Sequence, residues 1–361
     1  MPQIKKAILT GGGRATRLRP ITATLNKHLI PLANQPMIFH AIAKVVEAGV
    51  TEIFINTNPG EDQLPQAVGD GSRWGVKIQY FEQTGGPQGI AHVVKCAEKF
   101  IGREPFIFYL SDNIVLGSLK AQVRKFFDEK LDCLLALAKV SDPQRFGVPR
   151  FDETGQLVEV LEKPEFPPSD FAVTGIYFYQ PCFFEAFDHI QKSPRGEYEI
   201  SDIHSYFLRQ GFKVGFSEIT GWWKDTGKPE DLILASSLLL QEQPAEFYRQ
   251  ETVLPAGVSC EGLIKIGQGV SFGESVVIRG PAVIGDNCLL ENCTINPFTT
   301  IGAGSVVKNT TLSNSIILDN CRLEAPIKIS DSILGKGVTV IQDRHTDFHR
   351  LILGDQTLVE I

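Results

Sequence analysis

The sequence predicts an α/β domain with a mostly parallel, mixed sheet, followed by a parallel β-helix. In the first two-thirds of the 361 residues, short apolar runs alternate with longer segments of helical spacing, which is the order of a sheet covered by helices on both faces. In the last third, apolar residues recur every six positions, a period that neither a helix nor an ordinary strand has. These patterns divide the chain into residues 1–240, a linker of residues 241–253, and residues 254–361.

Composition and charge limit the classes of protein to consider. Hydrophobic residues make up 43% of the chain, yet no run approaches the roughly 18 consecutive apolar residues that cross a membrane, and the first residues lead into a strand instead of a signal-peptide core. We therefore expect a cytoplasmic protein without a membrane partner. The formal net charge of -7 argues against a nucleic-acid partner. The seven cysteines lack C-x-x-C spacing, which argues against a zinc site or a disulfide framework.

Strands and helices alternate from the start of the chain. An apolar strand over residues 7–9 precedes a glycine-rich loop, and a helix follows over residues 36–49, with proline at its start and glycine at its end. Further strands are predicted at residues 53–56, 76–81 and 106–110, and helices at residues 89–100 and 119–129. Ligands of such sheets bind beyond the carboxyl ends of the strands, so the residues that follow each strand are the candidates for chemistry.

The segment up to the linker continues the pattern less regularly. Strands are predicted at residues 133–140, 157–161, 173–179 and 213–217. The stretch of residues 196–211 ends as a helix with a glycine stop, and a leucine-rich helix follows Trp222 and Trp223. Residues 241–252 are polar and irregular, which is typical of a linker.

The six-residue period begins shortly after the linker. Its anchors are Ile266, Phe272, Ile278, Ile284 and Leu290; after one-residue slips Ile295, Ile301 and Val307 continue the series, followed by Leu312 and Leu318. Glycine directly follows the anchors Ile266, Ile284 and Ile301. The pattern resembles the hexapeptide repeat of left-handed parallel β-helices, in which each short side of a triangular coil places one aliphatic residue inside.

The loop after the first strand carries the strongest chemical signal. Gly11, Gly12 and Gly13 would let backbone N–H groups approach a polyanion closely. Four cations follow in this loop and the next: Arg14, Arg17, Arg19 and Lys27. A dinucleotide fingerprint would need a third glycine at Thr16, and a P-loop would need Gly-Lys at Thr16 and Arg17, so neither motif fits. On this motif alone, a tight turn with solvated arginines remains an alternative.

Two stretches together resemble a known signature. Residues 11–20, Gly-Gly-Gly-Arg-Ala-Thr-Arg-Leu-Arg-Pro, and residues 27–31, Lys-His-Leu-Ile-Pro, resemble the motifs of sugar-1-phosphate nucleotidylyltransferases, in particular the long-form glucose-1-phosphate thymidylyltransferases. The resemblance covers nearly the whole chain. It implies a Rossmann-like nucleotidyltransferase domain followed by a left-handed parallel β-helix. It also implies transfer of a nucleotidyl group from dTTP to glucose 1-phosphate by in-line attack on the α-phosphate, with Mg²⁺, giving dTDP-glucose and pyrophosphate.

The resemblance assigns roles to the charged residues. Arg17 would hold the leaving pyrophosphate and Lys27 the triphosphate, and their charge and position in the loop suggest the same. Asp112 follows an apolar strand and Asp225 lies in Trp-Trp-Lys-Asp-Thr-Gly; both would bind the magnesium ion, for which carboxylate oxygens are suitable ligands. A single Asp after a strand is more often a turn former or helix cap, so the prediction depends on both motifs being present.

Further residues would bind the base and the sugar phosphate. Gln83 offers one donor and one acceptor to the edge of thymine or uracil, and Gly89 would leave room for the ring. Lys163 would bind the phosphate of the sugar. The other residues expected at the sugar are Gly147, Glu162, Val173, Tyr177, and Glu197 or Glu199.

Two positions depart from the family pattern, because Ala15 and Ser111 stand where glycine is usual. If the backbone at residue 15 is left-handed, alanine strains it by roughly 1 kcal/mol, which would lower nucleotide affinity.

Three alternatives remain open at this point. One is a transferase that prefers UTP. Another is a non-catalytic nucleotide-sugar sensor, which would be expected to lose a catalytic cation or a metal carboxylate. This chain keeps the two cations, Arg17 and Lys27, and the two carboxylates, Asp112 and Asp225. The third is acyltransferase activity in the β-helix, which usually needs a histidine base placed between coils. The histidines of this region, His345 and His349, lie in or beyond the last rung. We favour a structural role for the β-helix in a homo-oligomer.

Overall fold

The computed structural model describes residues 3–13, 15–248 and 254–342. It divides into two compact units, the first of residues 1–14 and 38–225 and the second of residues 15–37 and 226–361. This division differs from a boundary at residue 240, since the segment of residues 15–37 and the helix after residue 228 group with the β-helix. The N–H group of Ala33 donates a hydrogen bond of 3.0 Å to the Ser236 hydroxyl of that helix.

The described residues form eight α-helices, six short 3-10 helices and 28 strands. The α-helices are α1 (Met37–Glu47), α2 (Gln63–Val68), α3 (Ile90–Cys96), α4 (Glu98–Ile101), α5 (Lys120–Asp128), α6 (Cys182–Phe187), α7 (Ile200–Arg209) and α8 (Pro229–Glu242). Short 3-10 helices span Thr16–Leu18, Ile21–Ala23, Lys27–Leu29, Ser72–Trp74, Pro143–Arg145 and Ala245–Tyr248. The first thirteen strands are β1 (Lys6–Thr10), β2 (Pro31–Leu32), β3 (Gln35–Pro36), β4 (Glu52–Thr57), β5 (Lys77–Glu82), β6 (Phe106–Tyr109), β7 (Asn113–Val115), β8 (Cys133–Lys139), β9 (Gly147–Phe151), β10 (Leu157–Glu162), β11 (Phe171–Tyr179), β12 (Val214–Glu218) and β13 (Trp223–Asp225).

The remaining strands form the β-helix. They are β14 (Val258–Glu261), β15 (Ile264–Ile266), β16 (Ser271–Phe272), β17 (Val276–Arg279), β18 (Ala282–Ile284), β19 (Leu289–Glu291), β20 (Cys293–Ile295), β21 (Thr299–Ile301), β22 (Val306–Lys308), β23 (Thr311–Ser313), β24 (Ile316–Ile317), β25 (Arg322–Glu324), β26 (Lys328–Ser330), β27 (Ile333–Leu334) and β28 (Thr339–Ile341).

The first unit is built on a seven-stranded sheet with the order β12, β8, β11, β6, β1, β4, β5. Its neighbouring strands are parallel except that β11 runs antiparallel to β6 and β8. This confirms the predicted mostly parallel, mixed sheet. Because β1, β4, β5 and β6 run in the same direction, the residues that follow them share one edge of the sheet.

One predicted helix is interrupted. Residues 89–100 form the two helices α3 and α4, which meet at Ala97, where the backbone N–H group bonds to the carbonyl groups of Val94 and Lys95. Alanine is a strong helix former, so nothing in the sequence at this position indicates the break.

The second unit contains three five-stranded parallel sheets, in which each strand pairs with the strand three further along the chain, rung by rung. This confirms the predicted left-handed β-helix. Nearly all the anchors are buried, but Ile317 and not Leu318 lies in the central apolar cluster, and Phe272 packs at its edge. The last step of the predicted period was therefore one residue too long, because the rungs shorten from 17 residues (Ile284 to Ile301) to 16 residues (Ile301 to Ile317).

The corners of the β-helix have left-handed backbone conformations, which asparagine and glycine tolerate best. Asn292 and Asn309 occupy one corner on successive rungs, and the Asn292 amide donates a 2.7 Å hydrogen bond to Asn309. At another corner, the Asn314 amide donates a 2.7 Å hydrogen bond to the Asp331 carboxylate. The corners are therefore held by polar contacts between rungs, and the inside by aliphatic packing.

The predicted linker is partly structured. Residues 241 and 242 complete α8, and the 3-10 helix Ala245–Tyr248 buries Tyr248 in an apolar cluster with Ala33, Leu240 and Val283. Residues 249–253, His345 and His349 lie outside the described residues.

All seven cysteines are free, as predicted. Among the described residues, no helix has the length and apolar character needed to span a bilayer.

Candidate active site

The glycine loop follows β1 and is held by two asparagines that end or follow β4. The N–H group of Gly11 donates to the Asn56 side-chain oxygen (3.1 Å), and the N–H group of Gly13 donates to the Asn58 side-chain oxygen (2.8 Å). A Cβ atom on Gly11 would lie 2.6 Å from the Asn56 carbonyl oxygen, and one on Gly12 would lie 2.8 Å from the Asn56 amide nitrogen. Gly13 has a φ of 116°. Packing against backbone therefore requires glycine at residue 11 and the positive φ favours it at residue 13, whereas a Cβ atom at residue 12 would displace the end of the Asn56 side chain.

Arg17 and Lys27 belong to the second unit. Arg17 is exposed on the 3-10 helix Thr16–Leu18, and Lys27 is half-buried on the 3-10 helix Lys27–Leu29, whose first turn is capped by the Asn26 side chain. Arg14 lies outside the described residues. The contacts of Arg17 and Lys27 with a triphosphate stay predictions.

The two departures from the family pattern have different structural costs. Ala15 has a φ of 42°, so it adopts the left-handed conformation in which alanine is strained. Ser111 has no such conformation, and its N–H group donates a 2.8 Å hydrogen bond to Thr10. Its hydroxyl is buried without a hydrogen-bond partner among the described residues, which is the cost of serine there.

Asp112 and Asp225 are brought together by the two-stranded antiparallel ribbon of β7 and β13, in which Asn113 lies opposite Asp225. The Asn113 amide donates 2.9 Å to the Asp112 carboxylate, and its side-chain oxygen accepts a 3.0 Å bond from the Trp223 indole. The same indole also donates to the Thr174 carbonyl oxygen (3.1 Å). The orientation of Asp112 therefore depends on a hydrogen-bonded chain that joins both strands of the ribbon to β11.

This carboxylate pair fits a magnesium ion. Mg²⁺ takes oxygen ligands, usually one or two carboxylates completed by substrate phosphates and water. The described residues contain no group of three or more His, Cys, Asp or Glu side chains placed to hold a metal. The pair alone would therefore bind Mg²⁺ together with a phosphorylated substrate.

The residues predicted for the sugar phosphate cluster at the ends of β9, β10 and β11. Glu162 lies opposite Gly147 in the β9–β10 hairpin, and a Cβ atom on Gly147 would be within 3.8 Å of Glu162 and Val173. The Lys163 ammonium lies 3.3 Å from the Glu162 carboxylate. Lys163 has a φ of 45°, so the chain turns sharply there.

Strand β11 connects this cluster with the carboxylate pair. A Cβ atom on Gly147 would lie 3.8 Å from Val173 of this strand, and the carbonyl oxygen of the next residue, Thr174, accepts the bond from the Trp223 indole of β13. Tyr177 is buried further along the same strand. The residues predicted for the sugar phosphate and those predicted for the metal therefore adjoin one strand of the first unit.

Arg195 was missed by the sequence reasoning. Its guanidinium forms a two-point contact with the Glu199 carboxylate (2.8 and 2.9 Å) and lies 3.7 Å from Glu162 and 3.9 Å from Glu197. Glu199 is almost fully buried and accepts these bonds, which leaves Glu197 as the more available of the two glutamates predicted at the sugar. An arginine beside two glutamates usually forms a surface ion pair, so the sequence gave no reason to select it.

Gln83 follows β5 and is held by the start of α3. Its amide nitrogen donates to the Gly89 carbonyl oxygen (3.1 Å) and to Nδ1 of His92 (3.0 Å). A Cβ atom on Gly89 would lie 2.5 Å from the Tyr198 carbonyl oxygen, so glycine is required there by the chain's own backbone, whereas the sequence reasoning gave room for a base as its purpose. The Gln88 carbonyl oxygen accepts a bond from the Tyr198 N–H group, which joins the Gln83 loop to the segment of Arg195.

The fold and this arrangement define a class of protein. The profile of the nucleotidyl transferase family matches residues 6–242, and the chain belongs to that family. It is 35% identical over 358 residues to the glucose-1-phosphate thymidylyltransferase of Streptomyces antibioticus, which covers 99% of both chains. It is 34% identical to the low-salt glycan biosynthesis nucleotidyltransferase of Haloferax volcanii, over 99% of this chain and 100% of that protein.

Solved structures agree with this assignment. A crystal structure described as a glucose-1-phosphate thymidylyltransferase from Bacillus anthracis, in complex with sucrose, has a TM-score of 0.61 at 36% identity and covers 65% of this chain and 94% of its own. A UDP-glucose pyrophosphorylase bound to UDP-glucose, at 24% identity and a TM-score of 0.59, shares the fold over 67% of this chain and 100% of its own. The chain is a nucleotidyltransferase of the glucose-1-phosphate thymidylyltransferase type.

Proposed function

We propose that this enzyme transfers a thymidylyl group from dTTP to glucose 1-phosphate and releases pyrophosphate. The observation that carries the proposal is that successive residues of β11 adjoin both groups: Val173 lies beside Gly147 of the sugar-phosphate cluster, and the Thr174 carbonyl oxygen accepts a bond from the Trp223 indole, which also holds the residue next to Asp112. Two substrates that react with each other need such adjacent sites. The names of the full-length relatives support the same reaction.

The reaction requires positioning and charge neutralisation more than covalent help from the protein. A phosphate oxygen of the sugar attacks the α-phosphorus of dTTP, a new P–O bond forms, and the bond to the β-phosphate breaks as pyrophosphate leaves. Lys163 and Arg195 would neutralise the sugar phosphate, and Glu162 or Glu197 would accept hydrogen bonds from sugar hydroxyls. Arg17 and Lys27 would bind the triphosphate.

Asp112 and Asp225 would hold Mg²⁺, which supplies charge neutralisation on the triphosphate when bound. Asn113 and Trp223 hold the Asp112 carboxylate in place before any ligand arrives. Preorganisation of this kind means that little rearrangement of the protein is needed during the reaction.

A substrate panel tests the proposal. Pyrophosphate release is measured with dTTP, UTP, dCTP and ATP, each combined with the 1-phosphates of glucose, galactose and mannose. We expect the highest kcat/KM for dTTP with glucose 1-phosphate and measurable activity with UTP. A higher kcat/KM for UTP would establish the uridylyltransferase alternative, and no release with any pair would establish the non-catalytic one.

The metal ligands are tested by Asp112→Asn, which keeps the size of the side chain but removes its charge. We expect kcat to fall by roughly a hundredfold or more with an unchanged melting temperature, and excess chelator to abolish activity of the wild type. Asp128→Asn, on the exposed side of α5, is the matched control and should keep full activity. Normal activity of the Asp112 variant, or of the wild type in chelator, would exclude the magnesium site.

A further inference from the structure

The orientation of the Gln83 amide is fixed by the Gly89 carbonyl oxygen, which can only accept a hydrogen bond from it. The amide nitrogen carries two hydrogens, and both are used, one by the Gly89 carbonyl oxygen and one by the His92 ring. A carbonyl oxygen cannot donate, so turning the amide over would place two oxygens against each other at Gly89. Among the described residues, none donates a hydrogen bond to the Gln83 side-chain oxygen.

The His92 contact also defines which ring nitrogen carries the proton. An amide nitrogen has no lone pair to offer, so Nδ1 of His92 must be unprotonated and the proton of the neutral ring must be on Nε2. Burial and the nearby Lys192 ammonium lower the pKa of His92, which favours the neutral ring. The ring is kept in place by stacking on Tyr198 at a centroid distance of 6.0 Å and by packing against Phe187 at 6.1 Å.

We propose that His92 is a positioning residue that sets base specificity by holding the Gln83 amide with its oxygen available to the nucleotide base. This inference rests on the proposed function. An exposed acceptor pairs with the N3 hydrogen of thymine or uracil, whereas cytosine presents a lone pair at N3 and would face the oxygen unfavourably. Binding cytosine would require the amide to turn over, which breaks the bonds to both Gly89 and His92.

The structure therefore modifies the sequence-based interpretation of Gln83. A free glutamine amide would use its nitrogen and oxygen together on the base edge, and it could turn over to suit cytosine. Here the nitrogen is already bound within the protein, so discrimination depends on the oxygen alone and on the groups that prevent the amide from turning.

The test compares dUTP and dCTP, which differ only at the Watson–Crick edge, by their ratio of kcat/KM with glucose 1-phosphate. His92→Phe keeps an aromatic ring for stacking on Tyr198 but removes the acceptor. We expect the dUTP/dCTP ratio to fall about fivefold in this variant, which is the effect of one neutral hydrogen bond that no longer opposes the turning of the amide. His92→Asn places an acceptor oxygen at the position of Nδ1 and should restore at least half of the loss on a logarithmic scale.

His189→Phe is the matched control, because His189 also stacks on a tyrosine, Tyr206, at 5.1 Å, with no contact to Gln83 among the described residues. Its ratio should equal that of the wild type. An unchanged ratio in His92→Phe, or an equal reduction in His92→Asn, would overturn this inference while leaving the proposed thymidylyltransferase activity unaffected. Absence of activity on dTTP in the wild type would instead refute the proposed function.

A spectroscopic measurement tests the contact without any change to the ring. In the wild type with ¹⁵N-labelled histidine, the His92 resonances, assigned by their loss in His92→Asn, should show an unprotonated Nδ1 and a protonated Nε2 at neutral pH. A proton on Nδ1 would contradict the proposal, since the Gln83 amide would then have to present its oxygen to the ring.

Discussion

The β-helix and the strand-end region of the first unit use polar side chains differently. In the β-helix, Asn292 bonds to Asn309, a residue 17 positions away that occupies the same corner of the next rung. At the strand ends, the Asn113 side-chain oxygen accepts a bond from the indole of Trp223, a different residue type 110 positions away. The first contact belongs to a repeated series, whereas the second exists once and aims a particular carboxylate.

The difference indicates how each region should respond to mutation. A repeated contact fixes the register of a rung, so its loss should cost stability and leave chemistry unchanged. A single long-range contact fixes the direction of a functional group, so its loss should cost activity. The following predictions separate these two outcomes.

Ile301→Ala should cause the largest change in stability. Ile301 is fully buried between two neighbouring rungs, and removing its side chain should lower the free energy of unfolding by about 2–5 kcal/mol. Urea titration followed by circular dichroism measures this, and kcat at 25 °C should not change. Leu263→Ala, on a residue that is 43% exposed, is the control and should cost much less. A loss of kcat without a loss of stability would contradict the separation of the two regions.

Lys163→Ala should change activity and leave stability nearly unaltered. The lost charged hydrogen bond to the sugar phosphate should lower kcat/KM for glucose 1-phosphate by about tenfold to a hundredfold, with a smaller effect on dTTP. Lys130→Ala is the closest control, because Lys130 is an exposed lysine that also has a left-handed backbone, with a φ of 52°. If both variants lost activity equally, Lys163 would have no specific role.

His204 should make stability dependent on pH. The ring is fully buried against the Tyr179 hydroxyl (2.7 Å), and burial lowers its pKa to about 3. An unfolded histidine has a pKa near 6.5, so the unfolded state takes up a proton first as the pH falls. Between pH 6.5 and 3 the stability should therefore decrease, with a slope from this group of up to about 1.4 kcal/mol per pH unit.

Urea titrations at pH 7, 6 and 5 measure that slope. His204→Gln keeps a polar contact to Tyr179 but does not titrate, so its stability should fall less steeply with decreasing pH. Equal slopes in both proteins would show that another group causes the acid sensitivity.

Ala15→Gly should cause the smallest change in the free energy of unfolding, and it should stabilise the protein instead of destabilising it. Relief of the left-handed strain at φ 42° should raise the free energy of unfolding by up to about 1 kcal/mol, offset in part by the greater freedom of glycine in the unfolded chain. The control Ala121→Gly, on the exposed face of α5, should lower it by a similar amount. A destabilised Ala15 variant would show that the methyl group makes a favourable contact that exceeds the strain.

The parts of the fold that follow a period could be predicted from the sequence. The alternation of strands and helices gave the mostly parallel sheet, and the six-residue spacing gave the β-helix anchors up to Leu312. Three-residue strands such as β7 and β13 have no measurable period, so their pairing, and with it the meeting of Asp112 and Asp225, could be expected only from the family resemblance. The grouping of residues 15–37 with the β-helix depends on packing of Ala33 against Leu240, Tyr248 and Val283, which no local pattern encodes.

The site followed the same rule. Residues with a motif, such as Lys163 and Gln83, were selected from the sequence, and the structure describes their surroundings. Arg195 contacts Glu162, and His92 contacts Gln83, but an arginine among glutamates or a histidine on a helix gives no signal of such a contact by itself.

The rung-by-rung pairing of the β-helix has a consequence for how it comes apart. Each strand bonds only to the rung before and the rung after, so cooperativity is transmitted from neighbour to neighbour instead of across a shared centre. Amide hydrogens in β20, β21 and β22, which have two rungs on either side, should exchange with solvent most slowly. Exchange should become gradually faster toward the terminal rungs, because unfolding starts at the ends of the β-helix. Unfolding of the outermost rung should leave the central rungs folded.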